Sequence, residues 1–267
     1  MNEFFKAIKE RNEELIYALL EQGADPNCEF EGKMCLRYLI GEPKLVRLLM
    51  DYGAQPWVKD QEERSLLVEA VYKDDIHTVG YLLACDAHSM YVNEPDEEGH
   101  TPLGCATYCG RNEDMIRYLL FCQANTNQFD NARETFPFIE VARGFKRDML
   151  ELFIEYGANP FITDKKGDTA LIVAVWPGSD ENIAFLLRLK IPVNRQNNCG
   201  ETALHKAAEI GAVSLIKLLL EAGADPSIKD NESSTPLMRL LAQEDSASEV
   251  KEQCEQLLKM YLKERVV

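Results

Sequence analysis

No stretch of about 18 uncharged apolar residues occurs in this sequence, so a membrane-spanning helix is not expected. The opening run MNEFFKAIKERNEELIYALL carries charges through what would be the apolar part of a signal peptide, so no secretory leader is expected either. Positive charge is scarce. Lys and Arg number 29 against 45 Asp and Glu, and the resulting formal charge of −16 disfavours nucleic acid or an anionic membrane as partner. It is compatible with a protein partner that has a basic surface, although acidity also serves plain solubility.

Chemistry-bearing patterns are missing as well. The cysteines, at 28, 35, 85, 105, 109, 122, 199 and 254, include no C-x-x-C pair, which argues against a zinc ribbon or a thioredoxin-type motif and for reduced, mostly buried thiols. Cys105 and Cys109 are four apart, but no His of familiar ligand spacing stands near them, so no metal is expected. No G-x-x-x-x-G-K-[ST], G-x-G-x-x-G or H-E-x-x-H is present, and His77, His88 and His100 stand apart from any Ser or Cys partner. The expectation is a non-enzyme without cofactor; a cysteine enzyme would have to rely on Cys109 or Cys199. No Pro/Gly/Ser-rich linker or composition break divides the chain, so no appended catalytic domain is expected.

What the chain does contain is repetition. In GETALHKAAEIGAVSLIKLLLEAGADPS, residues 200 to 227, Thr202 stands where a helix would begin. Gly211 interrupts the apolar pattern, and a second helix runs from Val213 to the GAD turn. Such a hairpin cannot bury its apolar side alone. Positions comparable to the turn alanine fall at Ala24, Ala54, Ala87, Ala124, Ala158, Ile191 and Ala224, spaced 30, 33, 37, 34, 33 and 33. Positions comparable to the helix start fall at Pro102, Pro137, Ala170, Ala203 and Pro236, spaced 35, 33, 33 and 33. Two independent markers keep one period. Thr101 and Thr235 are suited to N-caps with Pro in the first turn behind them, and Gly223 to the left-handed residue that ends a helix.

TALHKAAEIG, TPLGCATYCG and GDTALIVAVWPG resemble the ankyrin repeat, and the resemblance covers residues 2 to about 265. SLLVEAVYKD and FPFIEVARGF are looser matches. The resemblance implies an all-α, elongated, curved solenoid: helix-turn-helix units joined by hairpin-like loops, in one array over 1–267. Eight units fall at approximately 2–29, 30–59, 60–95, 96–129, 130–163, 164–196, 197–229 and 230–267, with modified caps at both ends. The insertion HSMYVNEPDEEG accounts for the 37-residue spacing and is expected to form an acidic loop. His205 holds the His of T-x-x-H and is expected to bond to the helix start.

The same resemblance implies a protein-binding scaffold that meets its partner through the concave helix face and the hairpin tips, and it places the residues after the Ala-Ala pair on the concave side. Across the units these read Leu39-Ile40, Tyr72-Lys73, Tyr108-Cys109, Arg143-Gly144, Trp176-Pro177 and Glu209-Ile210. The candidate binding residues are therefore Tyr72, Lys73, Tyr108, Cys109, Arg143, Trp176, Glu209 and Ile210, because Tyr, Trp and Arg dominate interface hot spots. The alternative is that the rings pack onto neighbouring units. Trp57 and Phe161 replace the Asn found at Asn27, Asn127 and Asn194 and are expected to pack on the next hairpin; the alternative is that they extend the contact surface near the hairpins. Arg133, Arg143, Lys146 and Arg147 read as a solvated face paired with Glu134, Asp148 and Glu151, or, if clustered, as an anion cradle. A monomeric cytoplasmic protein is expected. The rival reading is a secreted effector acting in a host cytosol, suggested by the Glu-rich tail EVKEQCEQLLKMYLKERVV.

Overall fold

A computed structural model describes residues 3–57, 65–84, 91–110, 112–176, 179–243 and 248–264. Helices α1 (Glu3–Glu10) and α2 (Glu13–Glu21) form the first pair. A hairpin of β1 (Glu29–Phe30) and β2 (Lys33–Met34) leads into a 3-10 helix at Cys35–Leu39, which pairs with α3 (Pro43–Asp51). Then come α4 (Leu66–Tyr72) with α5 (Ile76–Ala84), and α6 (Pro102–Cys105), prolonged by a π-helical turn at Ala106–Gly110, with α7 (Glu113–Phe121). The later pairs are α8 (Pro137–Gly144) with α9 (Arg147–Glu155), α10 (Ala170–Ala174) with α11 (Asp180–Arg188), α12 (Ala203–Glu209) with α13 (Val213–Glu221), and α14 (Pro236–Leu241) with α15 (Ser248–Glu264). The chain gathers into two compact units, Met1–Arg133 and Glu134–Val267.

The capping chemistry explains the helix starts. Ser65, Thr101, Thr169, Thr202 and Thr235 each accept a hydrogen bond from the amide three residues on, and Pro102 and Pro236 occupy first-turn positions where no N–H is needed. The second helices end on left-handed residues: Gly23, Gly53, Gly157 and Gly223 have φ between 81° and 90°. Behind Gly223 the Ala224 amide reaches back 2.9 Å to the Leu219 carbonyl, closing the last turn. Gln123 and Lys190 hold the same position at φ 67° and 60° without being glycine.

Packing follows the two-sided pattern that stacking requires. α13 buries Leu215, Ile216, Leu219 and Leu220 against α11, α12 and α15. Ala207 and Ala208 are fully buried where α12 meets its neighbours. The terminal helices are one-sided: α1 buries Phe4, Phe5, Ala7 and Ile8 and exposes Glu3, Lys6, Lys9 and Glu10, while α15 buries Cys254 and Leu258 within a charged background.

One expectation is overturned. Leu39 and Ile40 are core residues, 0% and 5% exposed, because the first helix of that repeat is a short 3-10 turn whose end faces inward.

Candidate protein-binding face

The first-helix starts are held by polar ties to the hairpins. A third periodic series, Asp96, Asp130, Asp164, Asn197 and Asp230, shapes the hairpins. In Asp96, Asp164, Asn197 and Asp230 a side-chain oxygen accepts the amide four residues on, at 2.8 to 2.9 Å. Where His205 is present it completes a capping box: the Thr202 amide donates to Nδ1 at 3.1 Å, and Nε2 lies 3.1 Å from the Ser234 carbonyl, so the neutral ring accepts at Nδ1 and donates at Nε2. Burial pushes His205 below its ordinary range, against the opposing pull of the Ser234 carbonyl.

The equivalent position in the fourth repeat is Gly104, and there the carboxylate of Asp130 takes the imidazole's place. Its Oδ2 accepts the Thr101 amide at 3.1 Å and its Oδ1 the Arg133 amide at 3.0 Å, with Asp130 only 1% exposed. A Cβ at residue 104 would stand 2.2 Å from Oδ2, so glycine is what admits the carboxylate.

Further ties join each repeat to the next through asparagine. Asn27 donates to the Gly53 carbonyl and accepts the Gln55 amide; Asn194 does the same with Gly223 and Asp225. In the longer third repeat Asn93 supplies the clamp, binding the Gln123 carbonyl and the Asn125 amide. Trp57 packs as expected, its ring stacked on Tyr91 at 3.9 Å. Phe161 stays half exposed, and its carbonyl accepts from Arg195.

Against this background the candidate residues sort clearly. In Met1–Arg133, Tyr72 is 65% exposed at the end of α4, and Lys73 lies 3.0 Å from Glu69. Tyr108, 56% exposed, projects from the π-helical turn with the Arg133 guanidinium 4.3 Å above its ring. Tyr72 and Lys73 border a cleft of about 380 Å³ whose other walls include Glu69, His100 and Arg133. The side chain of Cys109 lies outside the described residues, as do Ala87, His88 and Pro177.

In Glu134–Val267, α10 packs against both α8 and α12. At or just beyond the C-terminal ends of these helices stand Arg143, 3.5 Å from Glu140, Trp176, 73% exposed, and Glu209 with half-buried Ile210. Lys206 bridges Glu201 at 2.8 Å and Glu209 at 3.3 Å. Burial opposes the charge on Lys206, but the two carboxylates outweigh it and raise the ammonium above its ordinary range.

Three of the four basic residues singled out in the sequence sit in ion pairs. Arg133 is engaged with Asp130 and His100, Arg143 with Glu140, and Arg147 with Glu151 at 2.6 Å and Glu181 at 3.8 Å. Of the expected partners Glu151 pairs with Arg147, whereas Glu134 pairs with Lys165. No group of His, Cys, Asp or Glu suited to a metal occurs among the described residues, and no helix among them is long and apolar enough to cross a membrane.

Comparison with known proteins agrees with this geometry. The family described as Ankyrin repeats (3 copies) matches residues 33–130, 113–197, 137–230 and 188–259. The chain belongs to the ankyrin-repeat family. It is 34% identical over 141 residues to the ankyrin repeat and KH domain-containing protein mask-1 of Caenorhabditis elegans, which covers 52% of this chain and 5% of that protein. It is 32% identical over 109 residues to an ankyrin repeat-containing protein of Treponema pallidum, covering 40% of this chain and 37% of that one. The chain thus spans a minor part of these relatives. Among solved structures, an ankyrin repeat domain from Acinetobacter baumannii AYE matches with a TM-score of 0.62 and 28% identity, covering 73% of this chain and 96% of that one. Ankyrin repeats are generally protein–protein interaction modules and are typically non-enzymatic.

Proposed function

We propose that this chain is a non-enzymatic scaffold that binds a partner protein through its first-helix ends. The observation that carries this reading is that Tyr72, Tyr108 and Trp176, at matching positions of three repeats, leave 56% to 73% of their surface in water. The charged residues at the neighbouring positions, Lys73, Arg143 and Glu209, sit in ion pairs with Glu69, Glu140 and Lys206. Large rings with few rotors, exposed on a rigid scaffold, suit an interface hot spot. Lys73 supplies a polar neighbour to Tyr72 within Met1–Arg133, Arg143 and Glu209 hold the matching positions within Glu134–Val267, and the charge of −16 favours a partner with a basic surface. Six free thiols among the described residues suit a reducing, cytosol-type compartment.

The test is to capture the partner from lysate of the native host and compare affinities of the unaltered chain and a Tyr108→Ala/Trp176→Ala variant. A loss of more than about 2 kcal/mol, with helix content unchanged, supports the reading. Equal affinity removes the aromatic face from the interface.

A further inference from the structure

Cys28 and Cys35 are seven apart in sequence, yet they face each other across the β1–β2 hairpin. The strand register pairs Glu29 with Met34 and Phe30 with Lys33, so the next pair outward is Cys28 with Cys35. The Cys35 amide donates to the Cys28 carbonyl at 3.0 Å, which fixes that pairing. Directly opposed residues of antiparallel strands have Cα atoms about 4.5–5.5 Å apart, within the span a disulfide requires. Both thiols are free. Cys28 is half-buried and reachable from water, whereas Cys35 is fully buried with its sulfur 2.8 Å from the Pro26 carbonyl.

The two thiols are unequal. A hydrogen bond from Cys35 pulls Cys28 below its ordinary range, against burial and the nearby charge of Asp25. The same contact and its burial push Cys35 far up. The exposed member is therefore the one that deprotonates first, which is the arrangement of an attacking thiol beside a resolving one.

We propose that Cys28 and Cys35 form a reversible disulfide when the protein meets hydrogen peroxide. The Cys28 thiolate attacks one peroxide oxygen, the O–O bond breaks, and the leaving hydroxide takes a proton to become water. Cys28 is then a sulfenic acid. The Cys35 sulfur attacks the Cys28 sulfur, the S–S bond forms as the S–O bond breaks, and the departing hydroxide leaves with the Cys35 proton as a second water. The two sulfurs together lose two electrons and the peroxide gains them. A dithiol reductant reverses the change by thiol–disulfide exchange.

The site bears on the fold around it. Cys35 opens the 3-10 helix that carries Arg37, whose guanidinium lies 3.0 Å from Glu69. Phe30, between the two cysteines, stacks on Phe5 of α1 at 4.3 Å and accepts a hydrogen bond from the Tyr38 hydroxyl through its carbonyl. A link between residues 28 and 35 therefore fastens both ends of a hairpin that already packs on two helices.

The full chain is treated with hydrogen peroxide, its remaining thiols are alkylated, and it is digested with trypsin. Cleavage after Lys33 separates the two cysteines, so a disulfide appears as the peptide Met34–Arg37 joined to the peptide ending at Lys33, and it vanishes on reduction. The expected result is that linked pair, with alkylation of Cys28 reduced about tenfold by peroxide and restored by dithiothreitol. A Cys28→Ser variant gives no linked peptide. A Cys35→Ser variant leaves Cys28 as a sulfenic acid that dimedone captures. If Cys28 and exposed Cys199 alkylate alike after peroxide, or if Cys28 is found linked to another cysteine, the proposal is overturned.

Discussion

Replacing Gly104 with Ala tests whether the fourth repeat is built around the carboxylate of Asp130. Helix propensity alone favours Ala over Gly by about 1 kcal/mol, so a site with room would be stabilised. The structure leaves none: the added Cβ would stand 2.2 Å from Asp130 Oδ2, 2.7 Å from Thr101 Oγ1 and 3.0 Å from Asp130 Cγ. Overpacking of this kind costs about 1–3 kcal/mol, and displacing the carboxylate strands the buried Thr101 amide, which costs about 1–3 kcal/mol more. The net expectation is a loss of about 3 kcal/mol after subtracting propensity. Urea unfolding of Met1–Arg133 is followed through Trp57 fluorescence in a Trp176→Phe background, which leaves Trp57 as the sole indole. In an Asp130→Ala background two of the three close contacts are gone, so the cost of Gly104→Ala should fall by about 2 kcal/mol. Equal costs in the two backgrounds would refute the reasoning, as would a stabilised Gly104→Ala.

Lys190→Gly and Gln123→Gly should each raise the urea midpoint. Relief of about 1–2 kcal/mol of left-handed strain exceeds the roughly 0.5–1 kcal/mol lost to a more flexible unfolded chain, and an unchanged or lowered midpoint contradicts this. His205→Ala should cost about 2 kcal/mol near neutral pH, because both ring nitrogens lose buried partners. Its folded pKa lies below the unfolded value of 6.5, so the unfolded chain binds more protons between the two. The stabilisation is therefore fully present above pH 6.5 and is lost as pH falls below it. The difference in unfolding free energy between unaltered chain and variant should shrink from about pH 7 to about pH 5, and a constant difference would be incompatible with a buried neutral ring.

The architecture was legible because its signals are local. A Thr-Pro at a helix start or a Gly after an apolar run acts through its own backbone neighbours, so Thr101, Thr235 and Gly223 could be assigned their tasks from sequence alone. His205 was legible for the same reason, since its capping partner is three residues away. Leu39-Ile40 misled because the rule that places residues after the small pair on the concave side assumes a full first helix, and the second repeat has a 3-10 turn there instead. The role of Asp130 was out of reach for a different reason: its partners Thr101 and Gly104 lie one repeat earlier, and TPLGC shows only that the His is missing. The spacing of Asp96, Asp130, Asp164, Asn197 and Asp230 was a readable third marker, and it would have indicated that hairpin carboxylates recur where the helix starts need acceptors.

The exchange between His205 and Asp130 also shows which positions of a repeat are bound to the fold and which are not. Each first helix begins on an amide that needs an acceptor, and the second helices end on carbonyls that the turn alanine or, at Gly53, Gln123 and Gly223, an asparagine of the preceding repeat satisfies. Those duties fix the polar residues at hairpins and helix starts, and a substitution there, as at residue 104, demands a compensating change one repeat away. The last residues of the first helices carry no such duty: Tyr72 and Trp176 can change without stranding a buried donor or acceptor, and Tyr108 is tied only through Arg133 over its ring. Stability therefore leaves these positions free, and it gives no reason for them to be aromatic. Water would favour polar side chains there. That Tyr, Tyr and Trp occupy three of them is the physical ground for the proposal that these rings meet a partner.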